Sequence, residues 1–511
     1  MSKILVLNMG MKSIRSIIFD NEGNKLASAS VPISTALEEE CVTQDPNEWW
    51  EKGKQVISQS IEELGTNVID YITVTTSSAC LVCVDAKINA LLPCMMVSDK
   101  RARKESEQIK SAKAFKKIWE NTGLDMDSYL MTPKALWVKN NHPDLYTDIY
   151  KFLAPNDFLI AKLSDGICVT DYMNAQKWHY DMTENCYPDT LLREIGLDMD
   201  KLPEVLSLGT YVSNVSQKAS TETGLSTDTK IIVSTYDAIC SFVGSGVTKE
   251  GEACDISGTV TVFRTVASGL SNKKLKGIQQ IPYKEQNLCI LGGSNNMGGS
   301  LIEWVKQCYY QNEDLPYELM EKDAREAGEG AGGLIFLPYL LGERAPIWDS
   351  DARGVFFGLE RSHTRKEMTR AVFESTGFID LDMIHAIEKN GGRVDKIRLS
   401  GGLARVGLIS QMKADITGKY IEVLDEFETT ASGAAVIALL GQKELQDLDD
   451  AAEKFANVRM IIKPNRKKHE KYLKLYQLYK ETYETIKPLF PKRKEIVSQV
   501  LGDKKIKIEN L

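Results

Sequence analysis

The first 35 residues alternate apolar and polar positions in a way that predicts three consecutive strands. Residues 3–8 (Lys-Ile-Leu-Val-Leu-Asn) form a buried run ending in a glycine turn, 14–19 a second run, and 25–32 a third beyond the tight turn Asp20-Asn-Glu-Gly23. The pattern recurs from Gly251, with a strand over 252–256, a turn at Ser257-Gly-Thr259 and a returning strand over 260–267. Two strand–turn–strand units about half a chain apart predict a duplicated architecture, each half presenting a turn whose backbone N–H groups can cradle an anion.

Helical spacing of apolar residues predicts helices over 45–64, 98–123, 299–311, 365–390 and 407–417. Residues 150–163 read as a strand passing into a helix that starts at Pro155-Asn-Asp157. A long amphipathic helix is expected over 469–489, with Tyr472, Leu475, Leu478 and Tyr479 on one stripe, the mark of packing and not of a ligand box. Gly244-Ser-Gly-Val-Thr-Lys-Glu-Gly251 reads as a flexible connection. With 511 residues the chain exceeds one ordinary core, so two domains are expected, 1–247 and 248–490, followed by a basic tail over 491–511.

Composition narrows the function classes. A net charge of −8 argues against nucleic acid as a partner, and the basic Pro491-Lys-Arg-Lys494 and Lys504-Lys-Ile-Lys507 read as solvated. No apolar run reaches the ~18 residues of a membrane span, and the apolar start is too short for a signal peptide. The ten cysteines are scattered; Cys80 and Cys83 fall inside a strand pattern. Buried free thiols in a reducing cytoplasm are expected, with neither zinc nor a redox pair.

Candidate chemistry begins at Asp237, directly after the apolar run at Ile231. A carboxylate there lies where ligand sites of α/β sheets open, although on residue type alone a helix N-cap is the simpler reading. Ser257-Gly-Thr259 is either an ordinary hairpin turn or a phosphate cradle, and Gly401-Gly402 either a tight strand-to-helix turn or a nucleotide contact. The most distinctive stretch is Gly342-Glu-Arg-Ala-Pro-Ile-Trp-Asp-Ser-Asp-Ala-Arg-Gly-Val-Phe-Phe-Gly-Leu359, followed by Glu367-Met-Thr-Arg-Ala-Val-Phe-Glu374.

That stretch resembles the second signature of the FGGY carbohydrate kinases, and the likeness extends over roughly residues 3–490. It implies an α/β fold of two actin-like ATPase (ribonuclease H-like) domains flanking a central cleft. It also implies ATP-dependent, Mg²⁺-assisted phosphorylation of a ketose (a pentulose such as xylulose or ribulose) or a related polyol in the cytoplasm. The partner is then a small sugar, with no nucleic acid and no membrane; a homodimer is one open option for the assembly. By the same resemblance Asp237 is the general base and, with Asn8, a metal contact. Gly10, Lys12, Ser13, Arg15, Ser257, Gly258, Thr259, Gly299, Gly401 and Gly402 would meet the nucleotide, with Gly298 a weaker candidate. Ser78, Ala79, Asp99, Arg101, Asp237, Ala238 and the segment Asp171-Tyr-Met-Asn-Ala175 would meet the sugar. For Asp99, pairing with Arg101 or Arg103 is an equal alternative.

The first loop departs from the family pattern. Members typically carry Asp-x-Gly-Thr-Thr-Ser-x-Arg, where this chain has Asn8-Met-Gly-Met-Lys-Ser-Ile-Arg15. Asn8 lacks the charge that holds a divalent cation, and the Met11 side chain cannot hydrogen-bond a phosphate, whereas Lys12 either supplies a cation or points to solvent. Val97 and Ser98 replace the aromatic and Asn of the family's Trp-Asn-Asp-x-Arg. Ser77-Ser-Ala-Cys80 stands where xylulose kinases carry Gln-Met-His-Gly, a small-residue version closer to ribulose-type kinases. In the first signature Lys134, Trp137, Asn140 and Asn141 fit, while Met131 and Ala135 do not. Three readings stay open: an active kinase, favoured because Asp237 and the 342–374 block are kept; an impaired relative acting as a sugar or nucleotide sensor; and an unrelated function on the same fold.

Overall fold

The computed structural model describes every residue except 39, 123, 270–274, 426–427 and 502–511. The chain packs as two units. The first takes Met1–Gly246 together with Glu428–Phe455; the second takes Val247–Phe427 and Ala456–Leu511, as far as these are described.

The first unit is built on a six-stranded sheet in the order Tyr211–Asn214, Lys230–Ile232, Tyr71–Thr76, Lys3–Met9, Ser13–Asp20, Lys25–Pro32. The last three form the expected antiparallel meander, whereas Lys3–Met9, Tyr71–Thr76 and Lys230–Ile232 run parallel. The central strand Lys3–Met9 carries an unbroken apolar run because both of its faces are covered, and Ile4, Leu5, Val6 and Leu7 are all fully buried. The helix Pro46–Leu64 lies on the meander, started by Asp45, whose side chain accepts from Asn47 N, and ended by Gly65 in a left-handed conformation.

The second unit repeats the plan with one strand added. Its order is Gln279–Tyr283, Leu288–Asn295, Thr261–Ala267, Gly251–Ser257, Val394–Gly401, Tyr420–Leu424, Val458–Ile462. Again an antiparallel meander passes into parallel strands and closes on an antiparallel edge. The duplication expected from the two hairpins is therefore present as shared strand topology.

Several expectations are corrected. The single helix over 98–123 is two, Arg103–Lys110 and Phe115–Thr122, separated where Glu194 accepts from the backbone N–H groups of Lys113 and Ala114. The helix over 469–489 spans Arg466–Ile486, and a further helix, Leu489–Leu501, begins just past Pro488, so Pro491–Lys494 is helical and not a loose tail. Lys504–Lys507 falls outside the described residues. The buried stripe of the helix Arg466–Ile486 is Tyr472, Tyr476, Tyr479 and Tyr483; Leu478, expected there, is 37% exposed. Gly244 is no flexible link either, since it ends the helix Asp237–Gly244.

That helix crosses Thr429–Gly441 inside the first unit. A Cβ on Gly244 would lie 2.0 Å from the Thr429 carbonyl oxygen, and one on Gly433 would lie 1.7 Å from that of Cys240. Only glycine at both positions permits this backbone approach.

Candidate functional site

In the first unit, several of the candidate side chains gather at the C-terminal ends of the parallel strands. Asp237 opens its helix five residues beyond the strand Lys230–Ile232, and Tyr236, not Asp237, occupies the N-cap position. Its Oδ1 accepts from Ala238 N at 2.7 Å, and Ser77, just past the adjacent strand, donates from Oγ to Oδ2 at 3.3 Å. The carboxylate is thus held at a helix N-terminus, where the macrodipole favours its negative charge.

Behind it is a buried polar layer. Asp171 accepts from Met173 N, Asn174 N and Asn174 Nδ2, and from Thr235 Oγ1 at 2.8 Å, tying the Tyr172–Ala175 turn to the segment that carries Asp237. Burial, only partly offset by these donors, pushes the Asp171 carboxyl up to about 6. Lys177 lies with its ammonium 4.9 Å from the Tyr236 ring centroid.

Ala79 is buried and left-handed at φ 58°, and its carbonyl accepts from Lys134 Nζ at 2.7 Å, as does the carbonyl of Met96. Lys134 therefore clamps two loops from below, and burial lowers its ammonium from the usual lysine value. Ser78, one residue earlier, remains partly exposed. Asp99 is fully buried and grips Arg101 through Nε (2.9 and 3.1 Å) and a terminal nitrogen (2.8 Å), while also accepting from Val42 N. The pairing with Arg101 read from the sequence is present, and the Arg101 guanidinium lies 5.0 Å from the Trp137 ring centroid.

The first loop is placed on the same sheet. Asn8 is 2% exposed, opposite Arg15 on one side and Thr75 on the other, and its Nδ2 has no hydrogen-bond partner among the described residues. A Cβ on Gly10 would meet nothing within 4 Å, so the space over the turn is open. The Met11 carbonyl is held by Thr35 Oγ1 and Gln44 Nε2, and the Lys12 side chain is exposed. Ser13 pairs with Pro32. Arg15 forms an ion pair with Glu428, a residue 413 positions away that the sequence grouped with the second half of the chain.

In the second unit, the strands Gly251–Ser257 and Thr261–Ala267 make the second hairpin, with Gly258 and Thr259 exposed at its tip. The Gly258 carbonyl accepts from Gly299 N at 2.7 Å and that of Thr259 from Ser300 N at 3.3 Å, so the helix Gly299–Tyr309 starts against the turn. A Cβ at Gly298 would lie 2.8 Å from the Val260 carbonyl carbon, and one at Gly299 2.9 Å from the Gly258 carbonyl oxygen. Gly298 and Gly299 thus serve the docking of helix on turn, and the first N–H of the helix is already used. Gly401, left-handed at φ 86°, passes so close to Ser257 that a Cβ would sit 2.5 Å from its carbonyl oxygen; Gly402 has room.

The distinctive 342–359 loop straps onto this region. Asn295 Nδ2 donates to the Ala345 carbonyl at 2.6 Å, Asn296 N to Glu343 Oε1 at 2.6 Å, and Arg344 Nε to Asn296 Oδ1 at 2.7 Å. Burial pushes Glu343 up to about 7 against the pull of the Asn296 and Arg344 N–H groups. Sequence reasoning named Glu343 only within the distinctive stretch, without its burial, and missed the Arg15–Glu428 pair and the buried group formed by Asp255, Asp380 and Lys413. No spacing signal marks the last two, because their partners are distant in the chain.

All ten cysteines are free. Among the described residues no helix is long and apolar enough to cross a membrane, and no three His, Cys, Asp or Glu side chains converge as a metal cage.

Comparison with known proteins gives consistent matches. Residues 3–244 match the model of the FGGY family of carbohydrate kinases, N-terminal domain, and residues 258–441 that of its C-terminal domain. A xylulose kinase of Staphylococcus xylosus is 25% identical over 485 residues, covering 95% of this chain and 100% of the relative. A gluconokinase of Bacillus licheniformis is 23% identical, covering 94% of this chain and 95% of the relative. Among solved structures, a gluconate kinase and a ligand-bound xylulose kinase, both from Lactobacillus acidophilus, each align with a TM-score of 0.88 at 25% identity. Both alignments cover 96% of this chain, with 99% of the first structure and 100% of the second.

Proposed function

Because this chain belongs to the FGGY family of carbohydrate kinases, ATP-dependent enzymes, we propose that it phosphorylates a hydroxyl of a ketose or a related polyol, with Asp237 as general base. The observation carrying this reading is the partly exposed Asp237 carboxylate, oriented by Ser77 and Ala238 N at the ends of adjacent parallel strands. A carboxylate so placed accepts the proton of the attacking hydroxyl. Phosphoryl transfer asks little covalent chemistry of a protein beyond positioning and neutralising charge.

The 257–259 turn and Gly402 are proposed for the nucleotide, and Ser78 and Arg101 for the sugar, with Asp99 orienting Arg101. Small residues at 77–80 and relatives that act on xylulose, gluconate and glycerol support a linear ketose, sugar acid or polyol of modest size.

The donors present fit a magnesium ion carried by the nucleotide. Mg²⁺ takes one or two protein oxygens and fills its shell with water and phosphate, and a three-carboxylate cage is not required. Asp237 and the Asn8 amide oxygen would hold it. When bound, the ion neutralises charge on the phosphates.

A coupled ADP-release assay over pentuloses, hexuloses, gluconate and polyols tests the proposal. Sugar-dependent turnover should appear with at least one, and Asp237→Ala should lower kcat by about 10²–10⁴-fold with the melting temperature little changed. Binding of sugar and ATP without turnover across the panel would replace the kinase reading with that of a sensor.

A further inference from the structure

Beneath the second hairpin lies a charged group that the reaction as described does not use. Lys413 comes from the helix Gly407–Thr417, Asp380 from the helix Arg365–Lys389, and Asp255 from the strand Gly251–Ser257 in the middle of the seven-stranded sheet. Lys413 Nζ donates to Asp255 Oδ2 at 2.5 Å and to Asp380 Oδ2 at 2.6 Å. Their side chains are 1%, 0% and 1% exposed for Lys413, Asp255 and Asp380. Burial pushes Asp380 well above the usual carboxylate range, and the neighbouring Asp255 charge adds to it. Burial works against the Lys413 charge, but the two carboxylates outweigh it and raise the ammonium above the ordinary lysine value.

Such a group is a poor stability device. Removing three ionisable side chains from water costs more than well-packed apolar residues of the same volume would. It has, however, one outlet. The second oxygen of Asp255 accepts from Ser257 Oγ at 2.6 Å, and Ser257 is the last strand residue before the exposed turn. Ser257 also receives the closest approach of Gly401. Lys413 thus fixes Asp255, Asp255 fixes the Ser257 hydroxyl pointing inward, and the base of the turn is held by a chain of bonds rooted in the core.

We infer that Lys413 and Asp255 are positioning residues for phosphate binding, acting through Ser257 to hold the 258–260 turn in the conformation that receives the nucleotide. This rests on the proposal that the turn meets the nucleotide phosphates. A turn rigid before the nucleotide arrives loses less freedom on binding, and the benefit belongs to the nucleotide alone.

The test compares wild type, Ser257→Ala, Lys413→Met, the double variant of these two, and an all-apolar triple variant (Asp255→Val, Asp380→Leu, Lys413→Met). Steady-state kinetics with ATP and sugar varied separately are combined with calorimetric titration of a non-hydrolysable ATP analogue. Ser257→Ala and Lys413→Met should each raise the KM for ATP and weaken analogue binding about tenfold, with the sugar KM within about twofold of wild type. The double variant should be no worse than Lys413→Met, because both changes break one line of contact. Lys413→Met alone strands two buried carboxylates; the triple variant guards against misfolding, and should melt near wild type yet keep the loss of nucleotide affinity. A triple variant that binds the analogue as wild type does would overturn the inference and leave the cluster a structural one. A neutral Ser257→Ala, or strictly additive losses in the double variant, would equally overturn the route through Ser257. The Asp237→Ala comparison is independent of these variants, so loss of the kinase proposal and loss of this one are told apart.

Discussion

At the scale of single residues, what a side chain does here follows from what its polar atoms already touch. Asp237 and Asp99 are both carboxylates of the first unit, yet Asp99 is closed around Arg101 and Val42 N, while Asp237, at the start of its helix, is partly exposed. Glu343 adds a pH signature. Its folded-state value of about 7 lies above the ordinary 4.5, so the protein favours its protonated form. The stability this gives is fully present below about 4.5 and is lost as pH rises through about 7. Urea unfolding at pH 5 and pH 7.5 should show wild type losing up to about 2 kcal/mol more than Glu343→Gln between those values. Equal pH dependence in the two proteins would contradict the assignment. Lys134 gives a second residue-scale expectation. Replacing it with Met strands the carbonyls of Ala79 and Met96 and should cost about 2–4 kcal/mol in denaturant unfolding, with the turn at Ala79 loosened.

At the scale of elements, glycine decides where backbones meet. The helices Asp237–Gly244 and Thr429–Gly441 approach through Gly244 and Gly433, and there is no space for a methyl group at either. Gly433→Ala should therefore lower stability by about 1–3 kcal/mol and disturb Asp237, which heads the partner helix, so kcat should fall even though residue 433 touches no substrate. Denaturant unfolding and the ADP-release assay, run side by side, check both halves of that expectation. Some helix boundaries were legible where a capping residue and a glycine marked them, as at Asp45 and Gly65, whereas the break at Pro488 was read through. Others were missed where a distant partner did the work, as when Glu194 interrupts residues 111–114.

At the scale of the whole molecule, the first unit is assembled from two separated stretches of chain. The fragment Met1–Gly246 lacks the helix Thr429–Gly441 and so leaves the face of the Asp237 helix that carries Cys240 and Gly244 without its cover. Expressed alone it should bind the dye ANS and lose near-ultraviolet circular dichroism, whereas adding back 428–455 by a short linker should restore a cooperative transition. A fragment that unfolds cooperatively without that helix would show the division is not the one that matters for folding.

The sequence by itself determined the two hairpins, several of the helices and the family, because apolar runs, helical spacing, turn residues and the 342–374 block are local in the chain. It also placed Asp237 at a strand end. The tertiary structure decided which charges are in use. Arg15 meets Glu428, Lys413 bridges Asp255 and Asp380, and Asp99 is closed by Arg101, and apart from the last pair these partners stand tens to hundreds of positions apart. An ion pair or an orphaned amide is a property of distance in space and of exclusion from water. Neither leaves a period or a spacing in the chain that a linear reading could detect.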